Sequence, residues 1–196
     1  MLPNIENSKK TPWSFFEPNP SFYALLETGE EKDLQLAVRR IGLHLELPQI
    51  PLANYEWGLK MKHGTAGRIK LQTDEASIIQ IPLLYAGRPQ AIGGILAHEL
   101  THQFLASMDI VAADKTETEP LTDLAAFPLG LGKLVMNGTI TVFEPQKGDC
   151  RVLGYLSPEL CVYAYNQVNQ YFSVPDNAIR EYLTQDALFR LEVWSR

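Results

Sequence analysis

Long apolar runs, basic clusters, CxxC pairs, internal repeats and low-complexity tracts are all missing from this sequence. No apolar run approaches the roughly 20 residues of a membrane-spanning helix, so no membrane role is expected. Met1 to Lys10 lacks the apolar core of a signal peptide, and the expected location is the cytoplasm. Positive charge is in deficit: 17 Lys and Arg stand against 23 Asp and Glu, a formal net charge of −6. A chain of that balance is a poor partner for nucleic acid or anionic lipid. The densest basic run, Val38-Arg39-Arg40, sits in an amphipathic helical pattern and reads as a solvated face. Cysteine is scarce, with only Cys150 and Cys161. Cys161 falls in an expected helix as a small apolar residue, so free thiols are expected rather than a bridge. The oligomeric state is not legible.

What is present fits one globular domain. The chain has 196 residues, 45% hydrophobic and 20% charged, enough to bury a core. Residues 1–20 carry Pro3, Pro12, Pro18 and Pro20 and read as an extended N-terminal arm. Its aromatics Trp13, Phe15 and Phe16 are expected to pack on the body. A short helix is expected over 21–26 and an amphipathic one over 31–43. Between 47 and 88 come three β-rich runs: Tyr55-Glu56-Trp57, Arg68 to Leu71 and Ser77 to Ile81. Turn residues His63-Gly64 and Thr73-Asp74 separate them. They predict a small, mainly antiparallel sheet, with the strand that ends at Pro82 on its edge. Helices are expected over 89–108 and from 118 to about 127, then a strand over 139–143. Ser157 and Pro158 open a helix to 172, and Asp176 caps a last helical segment running toward Trp194. The layout is a single α+β domain over 1–196.

The run His98-Glu99-Leu100-Thr101-His102 carries chemistry. Residues four apart share one helical face, so both imidazoles can reach one metal ion. Glu99 then stands beside that ion, able to take a proton from water activated by it. Shuffling this composition gives only about 0.005 such matches per chain, which weighs against a coincidental pair of buried structural histidines. A catalytic zinc needs a third protein ligand. The extension HxxGxxH fails, because Met108 stands where its histidine would be. The stretch Glu117-Thr118-Glu119-Pro120-Leu121-Thr122-Asp123 offers a carboxylate on the following helix. Glu119 has Asp123 one helical turn on, where an acid can take the outer ring N–H of a ligating histidine. Glu117 has Leu121 at that offset. Glu119 is therefore the expected ligand, against the plainer reading of two acids enriching a helix N-terminus.

Together, His98-Glu99-Leu100-Thr101-His102 and Glu119-Pro120-Leu121-Thr122-Asp123 resemble the gluzincin, or thermolysin-like, zinc metallopeptidases. These carry HExxH on one helix and ExxxD on a later one. The resemblance spans about residues 77–125. It implies a zincin-like fold, with a small mainly antiparallel sheet packed on the helix pair that carries the metal site. It implies zinc on His98, His102 and Glu119, Glu99 as general base, and Asp123 holding a ligating histidine, His98. It also implies peptide or protein substrates that add to an edge strand, for which Ser77 to Ile81 is the candidate. The chain is shorter than thermolysin. No oxyanion-stabilising residue can be matched: Tyr155, Tyr163 and Tyr165 read as packing, and Arg151, His44 and His63 are unplaced. A zinc-binding regulatory or partner-binding module that does not cleave peptides, and a small-molecule hydrolase, are the competing readings.

Overall fold

The computed structural model describes residues 14–56, 67–70, 77–110, 115–139, 141–144 and 149–195, and their side chains except at 115–117, 141–144 and 149–152. Trp13, Trp57, Leu71 and the turns at His63-Gly64 and Thr73-Asp74 lie outside the described residues, as do the side chains of Glu117, Cys150 and Arg151. The architecture is α+β. Helix α1 (Pro20–Glu27) starts where Asn19 Oδ1 accepts the Phe22 N–H at 3.0 Å, with Pro20 at the first helical position. Helix α2 (Glu31–His44) buries Leu34, Ala37, Val38 and Ile41, the one-face spacing that the sequence shows. Of the arm, Phe16 is buried, donates its N–H to Gly130 O and packs edge-on against Phe22 and His44. Among the described residues, no helix is long and apolar enough to cross a membrane.

Helix α3 (Pro89–Ser107) runs through the centre, and Ala91, Ile92, Ile95, Leu96, Ala97 and Leu100 leave it apolar on nearly every side. A helix of that kind must be buried all round. Helix α4 (Lys115–Ala126) packs against it. A kink over Phe127–Leu131, where Gly130 has φ +83°, then carries the chain into α5 (Gly132–Gly138). Helices α3 and α5 cross in backbone contact at Gly94 and Gly138. A Cβ on Gly94 would lie 2.9 Å from Gly138 Cα, and one on Gly138 would lie 2.6 Å from Gly94 Cα. No larger residue fits either position, and this crossing sets α5 against the helix that carries both histidines.

Strands β1 (Leu52–Glu56), β2 (Arg68–Lys70) and β3 (Ile78–Pro82) form a sheet in the order β1-β3-β2. Strand β3 pairs parallel with β1 and antiparallel with β2. The sheet is therefore mixed rather than mainly antiparallel, and β3 is its centre, not its edge. The burial agrees, since Ile79, Gln80, Ile81 and Pro82 form the continuous buried run of a strand covered on both faces. Pro82 is tolerated as the strand's last residue. Strands β4 (Thr141–Glu144) and β5 (Asp149–Val152) pair as an antiparallel hairpin; only the first was expected.

Helix α6 (Pro158–Tyr171) begins as expected, with Ser157 Oγ accepting from the Leu160 N–H. The last segment is two helices, α7 (Asp176–Arg180) and α8 (Gln185–Trp194). The cause is tertiary. The buried amide of Asn137 donates to Tyr182 O and accepts from the Thr184 N–H, both at 2.8 Å, which holds the chain out of helix between them. Thr184 then caps α8, while Asp176 is the first residue of α7 rather than its cap.

Candidate metal centre

Helices α3 and α4 bring His98, His102 and Glu119 together. Their facing atoms form a small triangle: His98 Nε2 to His102 Nε2 is 3.0 Å, His98 Nε2 to Glu119 Oε2 is 3.0 Å, and His102 Nε2 to Glu119 Oε2 is 3.2 Å. The three side chains can hold a metal ion. Around a tetrahedral zinc with bonds of about 2.0–2.1 Å, neighbouring donor atoms stand about 3.3–3.4 Å apart, close to what the triangle shows.

The partners of the outer ring nitrogens bear on which atoms carry protons. His98 Nδ1 lies 2.7 Å from Asp123 Oδ1. An ionised carboxylate only accepts, so this nitrogen donates. His102 Nδ1 lies 3.2 Å from Thr122 Oγ1, and that hydroxyl donates its proton to Thr118 O at 2.8 Å. That bond leaves a hydroxyl lone pair toward His102 Nδ1. Two ring nitrogens and a carboxylate oxygen then converge on one point, where a proton or a metal ion can sit between them. Without an ion, His98 holds a proton there. Burial lowers the proton affinity of His98, but the hydrogen bonds to Asp123 and Glu119 and the charges of Asp123 and Glu99 outweigh it, and its pKa rises to about 10. Burial, and then the charge of His98, hold His102 below the usual range; the hydrogen bond from His98 lowers Glu119.

Asp123 is 5% exposed and uses both oxygens, since Oδ2 accepts the Tyr155 N–H at 2.6 Å. That turn depends on Gly154, whose φ is +98° and whose Cβ, if it had one, would lie 3.1 Å from Asp123 Oδ2. The Tyr155 ring stacks on His98 with centroids 5.6 Å apart at 27°. The loop at 153–156 thus contacts both members of the His98–Asp123 pair. Glu99 is 4% exposed. Burial, chiefly, pushes its pKa up to about 7, against the pull of His98 and a hydrogen bond from the Ile69 backbone. Strand β2, an outer strand of the described sheet, is therefore the one beside Glu99. A small cavity of about 40 Å³ opens next to His98 and Glu99, walled by Ile95, Val135, Leu156 and Cys161.

The sequence reading placed His98, Glu99, His102, Glu119 and Asp123 in this centre, and all five meet there. It did not find Thr122 or the support from Gly154, and it took Tyr155 for ordinary packing. The i, i+4 offset that selects Thr118 and Thr122 as back-bonding partners was a usable signal for the first. Tyr163 is exposed on the α6 surface, and Tyr165 spends its hydroxyl on Ile179 O at 2.7 Å. His44 Nε2 lies 3.0 Å from Leu129 O, far along the chain from the motif. His63 lies outside the described residues. Cys161 is a buried free thiol. Comparison with protein-family models, with curated proteins and with solved structures finds no match to this chain.

Proposed function

We propose that this protein is a zinc-dependent hydrolase of the gluzincin type, a metallopeptidase cleaving peptide bonds. The observation that carries the reading is the convergence of two histidine nitrogens and one carboxylate oxygen, with a buried carboxylate on the residue after His98. The donor set of two imidazoles and one carboxylate is that of a catalytic zinc site. His98, His102 and Glu119 would hold the ion. Zinc, when bound, supplies Lewis acidity that lowers the pKa of water toward 7 and polarises a carbonyl. Glu99 takes the proton from the attacking water on its carboxylate and passes it to the leaving amine. A base held near neutrality by burial suits transfer in both directions. The Ile69 N–H fixes the Glu99 carboxylate against the sheet. A substrate strand is proposed to add along β2 rather than β3, because β3 is already paired on both sides. The cavity beside Glu99, with Ile95, Val135 and Leu156 in its walls, suits an apolar side chain of the substrate.

The test is a zinc-loaded wild type and Glu99→Gln, assayed on a quenched fluorescent peptide library. Wild type should hydrolyse peptides, and the variant should keep zinc while losing hydrolysis. Zinc-loaded wild type that cleaves nothing would defeat the peptidase reading. Wild-type rates in Glu99→Gln would remove that residue from the chemistry.

A further inference from the structure

We infer that Thr122 is a positioning residue for the centre: its hydroxyl fixes His102 in the tautomer that leaves Nε2 free to bind a cation. This rests on the metal reading above and assigns a role to a residue that the HExxH and ExxxD patterns leave unspecified.

The argument is a count of protons. A threonine hydroxyl has one proton and two lone pairs. Here the proton goes to Thr118 O at 2.8 Å, one helical turn back in α4. The partner left for His102 Nδ1 at 3.2 Å is a lone pair. An imidazole facing a lone pair must donate, so Nδ1 carries the proton and Nε2 does not. Thr122 is fully buried, so water does not compete for either bond. Neither does the side chain choose freely, because a β-branched residue in a helix has few χ1 rotamers, and back-bonding to the i−4 carbonyl selects one of them.

The neighbouring residue does the same work by different chemistry. Asp123 Oδ1 takes the Nδ1–H of His98 at 2.7 Å. Consecutive residues of α4 thus orient the two histidines of α3, one through a charged acceptor and one through a neutral hydroxyl, while Glu119 one turn earlier meets both Nε2 atoms. The division has a consequence for charge. A second carboxylate at position 122 would add another negative charge beside Glu119, whereas a hydroxyl sets the tautomer without it. Losing such an outer partner of a metal-binding histidine typically weakens metal affinity about 10–100-fold.

The experiment compares wild type, Thr122→Val and Thr122→Ser. Valine keeps the branched shape and removes the acceptor; serine keeps the hydroxyl and removes the methyl. Zinc affinity is measured by chelator competition, and the tautomer of His102 by ¹⁵N-detected NMR of the metal-free chain. In wild type His102 should be the Nδ1–H form. Thr122→Val should shift it toward Nε2–H and weaken zinc by about tenfold or more, while Thr122→Ser stays near wild type in both. An unchanged tautomer in Thr122→Val, or equal weakening in valine and serine variants, would overturn the assignment. Should wild type take up no zinc at all, the metal reading fails, and the NMR comparison still decides the hydrogen bond. If Thr122→Val does not fold, the serine variant and the wild-type tautomer carry the decision: an Nε2–H His102 in folded wild type refutes the role outright.

Discussion

Replacing Asp123 by Asn keeps the size of the side chain and tests how much of the centre depends on its charge and its two acceptors. Each carboxylate oxygen has one donor: His98 Nδ1 at 2.7 Å and the Tyr155 N–H at 2.6 Å. An asparagine has one oxygen and one NH2. Whichever way its amide turns, the NH2 confronts one of those two N–H groups. Unless His98 gives up its tautomer, one buried donor is then left without an acceptor, at a cost of about 1–3 kcal/mol. For a chain of this length that lowers Tm by roughly 2–12 °C. A separate effect falls on the metal. His98 loses either its tautomer or the anchor of the loop that stacks on it, and zinc affinity should drop about 10–100-fold, which is about 1.4–2.8 kcal/mol. Chelator competition measures the second effect, and thermal unfolding in excess chelator measures the first without the metal's contribution. Zinc affinity equal to wild type, in a folded Asp123→Asn protein, would refute the reasoning, because a surface acid is the residue expected to behave that way.

Three further outcomes follow from the geometry. Glu119→Gln should weaken zinc far more than Glu117→Gln, and equal losses in the chelator assay would show that the carboxylates act only as diffuse charge. Gly154→Ala must place a side chain at φ +98° and 3.1 Å from Asp123 Oδ2. It should cost about 1–3 kcal/mol, and an unchanged Tm would show that the turn relaxes freely. Burial pushes the Cys161 thiol up to about 11. Since the thiolate is the nucleophile, Cys161 should resist iodoacetamide at neutral pH until the chain unfolds, and mass mapping of rapid alkylation there in the native protein would contradict its burial.

The candidate metal centre was more legible in the sequence than the fold around it. His98, Glu99 and His102 are read from a local spacing that a helix turns directly into geometry, and Glu119 with Asp123 from the same rule applied once more. What lay further off was not readable. The Tyr155 N–H reaches Asp123 across 32 residues, and no periodicity records that contact. In the sheet, alternation and apolar runs say which face of a strand is buried but not which strand lies beside it. For that reason β3 was expected at an edge when it is central, and the parallel β1–β3 pair was not anticipated. The break between α7 and α8 has the same origin. Residues 176–194 read as one helical segment locally, and the chain is interrupted by Asn137, 45 residues before Tyr182. The helix start at Pro158 was legible because its Ser157 cap and proline act within one turn, whereas Pro20 was counted with the arm and is the first residue of α1.

Metal content tests the central claim most directly. The measurement is elemental analysis of protein purified without chelator, together with zinc titration of the metal-free chain, for wild type, His98→Ala and His102→Ala. Wild type should hold about one zinc per chain, matching a single three-ligand site, and each alanine variant should lose it while remaining folded. A folded wild type that is metal-free as purified and takes up no zinc on titration would contradict the account.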